Sequence, residues 1–271
     1  MQGKTIDTGT PDLLASRHDR VLILTMNRPT SRNALSTAML NALERQLTCA
    51  ESDVQIGCIV LTGAAGAFCA GGDVKAMASG QENMSGTAKV QLQRKIQRDT
   101  AGKLFAIMKP TIAAINGPAA GAGLSLALAC DLRTMASEAF LMTAFGRVGL
   151  SGDFGGTYFL SQLVGTAKAR EICYLSERIA AAEALQLGLT NRVFNASELI
   201  EETLALATRL ASGPSIALGF MKENLNRALV ATPEECLDLE ATHHIYCTTT
   251  RDHHEAAAAF VEKREPLFEG R

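Results

Sequence analysis

A single carboxylate, Asp153, lies in a stretch of glycine, serine and apolar residues that reads GLSGDFGG over positions 149–156. A carboxyl group among apolar side chains is partly removed from water, which raises its pKa and strengthens it as a base. Such a group could take a proton from one carbon atom and return it to another. Aspartate is also frequent in turns, where it hydrogen-bonds nearby backbone groups. Two interpretations of Asp153 therefore stay open, an acid/base and a loop-capping residue.

Two glycine-rich turns form a second candidate site, in LTGAAGAFCAGGDVKAM and in AINGPAAGAGLSLALAC. In each, a short apolar strand leads through small residues into a helix. Small side chains let a ligand approach the backbone, and the first N–H groups of a helix lack intrahelical acceptors. An oxygen atom that gains negative charge would find donors and a positive dipole end there. Neither turn has the P-loop pattern or the dinucleotide-binding fingerprint. One such turn is weak evidence, but two of them around one core predict an oxyanion site.

Apolar periodicity and turn residues predict the elements that position these groups. A hairpin is expected in LLASRHDRVLILTMNRP, and buried strands in IGCIVLTG and TIAAI, with two further strands in DLRTMAS and AFLMTA. One expected helix begins after its cap Ser36, and another is the buried segment LSLALAC. A capping box of Thr232 and Glu235 begins a third. Further helices are expected over residues 87–108, 157–164, 166–176, 180–187, 197–212 and 251–264. Strands stop near residue 195, so we expect an α/β core over 1–195 and a helical region over 196–271.

Composition narrows the function classes. The 271-residue chain has a net charge of −2 and 47% hydrophobic residues. No strongly basic tract is present, which argues against nucleic acid as a partner. No apolar run approaches the roughly 18 residues that cross a bilayer. The seven cysteines lack C-x-x-C spacing, and the N-terminus does not resemble a signal peptide, so a cytoplasmic location without membrane association is expected. The pairs His243-His244 and His253-His254 lack metal-site spacing and predict no metal; solvated or interface histidines are expected there.

With these motifs in their order, the chain resembles the enoyl-CoA hydratase/isomerase (crotonase) family over nearly its whole length. The resembling segments are MNRPTSRNAL, LTGAAGAFCAGGDVK, KPTIAAINGPAAGAGLSLALACDLR, GRVGLSGDFGGTYFLSQLVG, AAEALQLGLTNRV and AFVEKREPLF. The resemblance implies an α/β fold, a spiral of β-β-α units followed by a C-terminal helical region that forms a homotrimer or hexamer. It also implies an acyl-CoA thioester as substrate and no separate cofactor, because CoA is part of that substrate.

The same resemblance implies roles for individual residues. The backbone N–H groups of Ala70 and Ala122 would hold the thioester carbonyl oxygen while an enolate forms. Arg28, Lys75 and Lys263 would contact the CoA phosphates, and Phe260 would line the acyl or pantetheine path, although core packing of Phe260 is an open alternative. The remaining positions expected to bind substrate are Gly72, Asp73, Val74, Gly121, Ser125 and Phe145.

The expected reaction depends on which acids are present. Hydratases of this family use two glutamates, and the resemblance places those positions at Ser125 and Phe145, where this chain has none. Asp153 matches an aspartate of relatives that move double bonds, and its surroundings are most similar to the ring-opening isomerases of phenylacetyl-CoA breakdown. In an apolar pocket with Phe145, Leu150 and Phe154, Asp153 would act as the single base of an acyl-CoA isomerase. The alternatives are an enoyl-CoA hydratase in which Asp153 activates water, and a non-catalytic acyl-CoA-binding protein.

Overall fold

The computed structural model describes residues 3–73 and 85–271. The strands in chain order are β1 Lys4–Ile6, β2 Leu13–His18, β3 Val21–Met26, β4 Cys58–Gly63, β5 Thr111–Ile115, β6 Ala119–Ala120, β7 Leu132–Ala136, β8 Phe140–Met142, β9 Ile179–Ala180 and β10 Arg192–Phe194. Seven of them form one sheet in the order β1-β2-β3-β4-β5-β7-β10, and β6-β8-β9 form a second, smaller sheet. The predicted hairpin is confirmed, since β2 and β3 pair antiparallel from Leu13 and Met26 to His18 and Val21.

Helices cover both faces of the larger sheet and continue alone to the C-terminus. They are α1 Thr37–Ser52, α2 Gly86–Gln97, α3 Lys103–Ala106, α4 Ala122–Ala129, α5 Gly156–Leu175, α6 Ala181–Gln186, α7 Leu199–Ala211, α8 Ser215–Ala228, α9 Pro233–Thr248 and α10 Arg251–Glu262. Ser36 caps α1 and the Thr232–Glu235 capping box begins α9, as predicted. The expected break inside α5 is confirmed at Gly165, whose φ of 75° is not helical.

One helix prediction was incomplete and one helix was missed. The helix expected over 87–108 is confirmed over 86–106, with a π-helical turn, Arg98–Gly102, between α2 and α3. Helix α8, which contains Gly219, was not among the predicted helices. The structure shows why Gly219 is needed: a Cβ there would lie 2.7 Å from the Met108 carbonyl oxygen. A close approach of two backbones thus outweighs the low helix propensity of glycine.

The core is continuous across the sheet. Strands β3, β4, β5, β7 and β10 run parallel, and β4 and β5 are buried along their whole length. Helices α1 and α4 contribute to the main cluster of buried apolar residues, while Ala207 and Ala211 of α7 pack on the other face of the sheet. The first helix after residue 195 therefore completes the α/β core, and α8–α10 extend beyond it. Within the residues that the structure describes, no single helix is long and apolar enough to cross a bilayer; only α7 and α8 together pass that test, and they are bent by 102°.

Candidate active site

The two glycine-rich turns lie in contact. Cys69 pairs with Ala119 in an isolated parallel bridge, and the Ala120 amide donates to the Cys69 carbonyl oxygen at 2.9 Å. A Cβ on Gly123 would lie 2.4 Å from that same carbonyl oxygen, so no larger residue fits without displacing the backbone. At Gly71, where φ is 95°, a Cβ would lie 3.3 Å from the Ala122 nitrogen. Glycine at these two positions therefore lets the first turn pack directly against the N-terminus of α4.

The two amides predicted as oxyanion donors differ in their hydrogen bonding. Ala122 is the first residue of α4, and across residues 3–73 and 85–271 its N–H makes no hydrogen bond. The preceding residue, Gly121, has φ 53° and ψ −127°, a conformation that requires glycine. This conformation begins α4 next to the first glycine-rich turn. The Ala70 N–H instead donates to the Arg32 carbonyl oxygen at 2.9 Å. Ala122 is thus available as a donor, whereas Ala70 would have to share or lose its present acceptor.

A buried asparagine fixes the segment that leads to Ala70. The Asn33 side chain donates to the carbonyl oxygens of Ala64 and Ala67 at 2.9 and 2.8 Å, and its Oδ1 accepts from the Arg28 amide at 2.9 Å. Asn33 has φ 57°, a left-handed conformation that asparagine tolerates better than most residues. Three hydrogen bonds from one side chain therefore tie the end of β3 to the loop of the first turn.

Replacing Asn33 with alanine is expected to lower the free energy of unfolding by about 3 kcal/mol, because a buried carbonyl, a partly buried carbonyl and one amide lose their partner. Urea denaturation measures this loss. Asn27→Ala is the matched control, since its side chain makes a single exposed hydrogen bond to Pro11. Equal stability of the two variants would contradict the assigned role of Asn33.

Arg28 forms ion pairs with two carboxylates. Its guanidinium lies 3.0 Å from Asp73 Oδ2 and 3.7 Å from Asp12 Oδ2, and it donates to the Ala34 carbonyl oxygen at 2.7 Å. The side chain therefore holds the Gly72-Asp73 end of the first turn, and its contact with the CoA phosphates stays a prediction. Gly72 itself pairs with Leu35 in an isolated bridge.

The Asp153 carboxylate faces α2 and is half-buried. Gln93 Nε2 donates to both carboxylate oxygens, at 2.9 Å to Oδ1 and 2.8 Å to Oδ2. Gln97 Nε2 donates to Oδ1 at 2.6 Å, and the Phe154 amide donates to the same oxygen at 2.9 Å. Burial raises the pKa of Asp153 above that of an ordinary aspartate, while the donors on Gln93 and Phe154 act in the opposite direction. The carboxyl group is therefore a stronger base than one in water.

The surroundings of Asp153 differ from the predicted apolar pocket. Phe154 packs in the main core, and two amide side chains, Gln93 and Gln97, contact the carboxylate instead. Sequence reasoning missed both glutamines. Their signal was the spacing of four residues in the most polar stretch of the chain, which places both side chains on one helix face.

A cavity of about 580 Å³ lies between α4, α5 and residues 143–151. This volume falls within the range of small-molecule binding sites. The predicted residues that line it are Gly121, Ser125, Phe145 and Leu150. Asp153 does not line this cavity, but Ser151 and Gly156 on either side of it in the chain do. Asp153 therefore belongs to the loop that forms part of the cavity wall, and its carboxylate hydrogen-bonds α2.

Ser125 and Phe145 occupy the wall of the cavity near Gly121. The Ser125 hydroxyl donates to the Gly121 carbonyl oxygen at 3.3 Å and is buried. A Cβ on Gly156 would lie 2.3 Å from that hydroxyl, so the start of α5 packs against α4 there. Phe145 Cε1 lies 3.9 Å from a Cβ built on Gly121. This end of the cavity thus adjoins the Ala122 amide.

The other predicted binding residues lie outside this cluster. Phe260 is 85% exposed on α10, so the alternative of core packing for it is wrong, and Lys263 is also exposed just after that helix. Neither lines the cavity at Ser125. Val74 and Lys75 lie outside the described residues.

The histidines give no metal site. In the part of the chain that the structure describes, no three histidine, cysteine or acidic side chains are grouped as ligands. His243, expected in solvent or at an interface, is buried in this chain: it stacks on Phe220 with ring centroids 4.1 Å apart and hydrogen-bonds Asn224 Oδ1 at 2.6 Å.

Comparison with known proteins shows the family of this chain. The model of the family described as enoyl-CoA hydratase/isomerase matches residues 16–271. The chain belongs to this family. One relative of this family member is the 2,3-dehydroadipyl-CoA hydratase of Escherichia coli K12, which is 36% identical over 96% of this chain and 99% of the relative. Another is the 1,2-epoxyphenylacetyl-CoA isomerase of the same strain, which is 34% identical over 93% of this chain and 95% of the relative.

Solved structures of the family share the fold. An enoyl-CoA hydratase from Polaromonas sp. JS666 superposes with a TM-score of 0.89 at 34% identity, covering 94% of this chain and 99% of that one. The mixed α/β architecture with a helical C-terminal region is therefore the crotonase fold, and the expected family membership is confirmed.

Proposed function

We propose that this family member is an acyl-CoA isomerase that shifts a carbon–carbon double bond through an enolate. The observation that carries the proposal is a single half-buried carboxylate, Asp153, in the loop whose residues Ser151 and Gly156 line a cavity together with Gly121, the residue before the Ala122 amide. The two positions where a family hydratase has its glutamates are Ser125 and Phe145, and both line that cavity. The site thus offers one acid/base rather than two.

The reaction follows from these groups. Asp153 takes a proton from the carbon next to the thioester carbonyl, and the electrons of that C–H bond form the enolate double bond. The negative charge moves to the carbonyl oxygen, where the Ala122 N–H stabilises it by about 3 kcal/mol. Asp153 then returns the proton two carbons further along, the double bond shifts and the carbonyl reforms. Because the reaction is redox-neutral, it needs no cofactor beyond the CoA of the substrate.

Ultraviolet absorbance separates the candidate activities. An isomerase raises the absorbance of a 3-enoyl-CoA as the double bond becomes conjugated with the carbonyl. A hydratase, the activity in the name of one relative, lowers the absorbance of a 2-enoyl-CoA as water adds. Binding of both esters without turnover, and without deuterium exchange at the α-carbon, would identify a non-catalytic protein. Loss of 2-enoyl-CoA absorbance without isomerisation would overturn our proposal in favour of hydration.

The pH dependence of the isomerase follows from the environment of Asp153. The base must be ionised, and burial raises its pKa above that of a free aspartate. We expect kcat/KM to fall as the pH drops through this raised pKa, so the acid limb lies at higher pH than for an ordinary aspartate. A pH–rate profile measures the limb, and a rate that stays constant down to the pKa of a free aspartate would contradict the assignment.

We also propose that the C-terminal helices mediate self-association as a homotrimer or hexamer in the cytoplasm. Supporting this, α9 and α10 expose large apolar residues, Leu237, Ile245, Tyr246, Phe260 and Val261. Grouped apolar residues on a surface favour a protein interface. Phe260→Asp is expected to shift the sedimentation profile towards monomer, whereas Ile200→Asp, an exposed residue on α7, should not. An unchanged profile of the Phe260 variant would contradict the placement of the interface.

A further inference from the structure

We infer that Gln93 and Gln97 are positioning residues that fix the Asp153 carboxylate and leave its Oδ2 as the atom that carries the proton. The inference rests on the proposed function, in which Asp153 is the acid/base. It assigns separate tasks to the two carboxylate oxygens, and it makes α2 the element that positions the acid/base.

The hydrogen bonds divide unequally between the two oxygens. Oδ1 accepts from Gln93, Gln97 and the Phe154 amide, at 2.9, 2.6 and 2.9 Å. Among the residues that the structure describes, Oδ2 accepts only from Gln93, at 2.8 Å. A carboxylate has about four lone-pair sites, two on each oxygen. Oδ1 is therefore saturated, whereas Oδ2 keeps one unused site where a substrate C–H can deliver its proton.

The helix is built to present both glutamines. Gln93 and Gln97 are four residues apart in α2 and so share one face. In a regular helix Leu104 would fall on nearly the same stripe, yet Leu104 is fully buried in the core. The π-helical turn Arg98–Gly102 allows Leu104 to face a different direction from the two glutamines, because its wider turn rotates α2 relative to α3. One part of the same continuous helix can then face Asp153 while the next packs in the core.

Ion pairs hold this helix against α1. Lys95 pairs with Glu44 at 3.0 Å, and Lys103 pairs with Glu51 at 2.7 Å. Lys95 also contacts Asp99 at 2.6 Å, within the π-helical turn. The glutamine amides are thus presented from a segment that is anchored on both sides of Gln97.

Neutral amides suit this task better than cations would. A lysine or arginine beside Asp153 would strongly lower the pKa of the carboxyl and weaken the base. Within the described residues Asp153 makes no ion pair, and the Gln93 donor only partly offsets the rise in pKa caused by burial. The carboxylate is therefore held in one orientation while it stays basic.

The test combines single variants with a double-mutant cycle in the full-length protein. Gln93→Met and Gln97→Met remove the donors at similar side-chain length, and each is expected to lower kcat/KM for a 3-enoyl-CoA about tenfold or more. Gln91→Met, an exposed glutamine on the same helix, is the matched control and should stay within twofold of the wild type. The melting temperature and the dissociation constant for an acyl-CoA verify that each variant folds and binds.

Two readouts separate positioning from mere structural support. Loss of the Gln93 donor should move the acid limb of the pH–rate profile to higher pH, because that donor lowers the pKa of Asp153. In an Asp153→Asn background the glutamine variants should cause no further loss of rate, since they act through the carboxylate. An unmoved acid limb, or additive losses in the double variants, would overturn the inference. Full activity of Asp153→Asn alone would instead overturn the proposed function.

Discussion

Replacing Asp153 with asparagine is expected to lower kcat for isomerisation about 10³-fold while acyl-CoA binding stays nearly unchanged. A positioned acid/base contributes roughly 10²–10⁴-fold to such a rate, and asparagine keeps the size of the side chain but cannot accept a substrate proton at neutral pH. Stopped-flow or steady-state absorbance with a 3-enoyl-CoA gives kcat, and calorimetry gives the affinity. Turnover within a few-fold of the wild type would contradict the role of Asp153.

Stability provides the control for this variant. Burial raises the pKa of Asp153 in the folded state, so the native protein binds the proton more tightly than the unfolded chain does. The contribution of this group to stability therefore decreases as the pH rises from the unfolded pKa through the folded pKa. At neutral pH the asparagine variant should be no less stable than the wild type. Asp19→Asn, at an exposed turn with φ 49°, should change neither activity nor stability appreciably.

The second large effect is expected at the proposed oxyanion donor, the Ala122 N–H. Ala122→Pro deletes one backbone N–H at the first position of α4, where proline is compatible with a helix and no intrahelical bond is lost. Loss of one oxyanion donor lowers kcat about 10²–10³-fold. We therefore expect a decrease of this size in isomerisation, together with loss of α-proton exchange, because both need the enolate.

A proline at an equivalent helix start tests whether the effect is specific. Ala181 is the first residue of α6, is buried like Ala122, and follows Ala180 in an extended conformation that a following proline accepts. Ala181→Pro should retain most of the activity. If Ala122→Pro folds, binds acyl-CoA and turns over like this control, the Ala122 amide is not the main donor.

The sequence predicted the α/β architecture because its signals are local. The strand IGCIVLTG, the Ser36 cap and the helix break at Gly165 each depend on a few neighbouring residues, and each is confirmed. The helix α8 and the π-helical turn after Gln97 escaped prediction because distant packing determines them: Gly219 lies against Met108, and Leu104 must reach the core.

The candidate site, too, could be predicted only in part. The two glycine-rich turns and Asp153 could be singled out from residue type and spacing, and the structure brings the turns into contact. The partners of these groups could not be predicted, because they come from distant segments. The Ala70 amide donates to the Arg32 carbonyl oxygen, and Arg28 forms an ion pair with Asp73. Two glutamines from α2 donate hydrogen bonds to Asp153. Hydrogen bonds between segments as far apart in sequence as Gln93 and Asp153 leave no periodic signal.

Transfer of isotopic label within one molecule of substrate tests the central claim most directly. A 3-enoyl-CoA carrying deuterium on the carbon next to the carbonyl is converted in ordinary water, and the product is analysed for deuterium two carbons away. If Asp153 alone removes and returns the proton, part of the label appears at that second carbon, and none appears with the Asp153→Asn variant. Rapid conversion with all of the label lost to water at every extent of reaction would contradict transfer by one sheltered carboxylate.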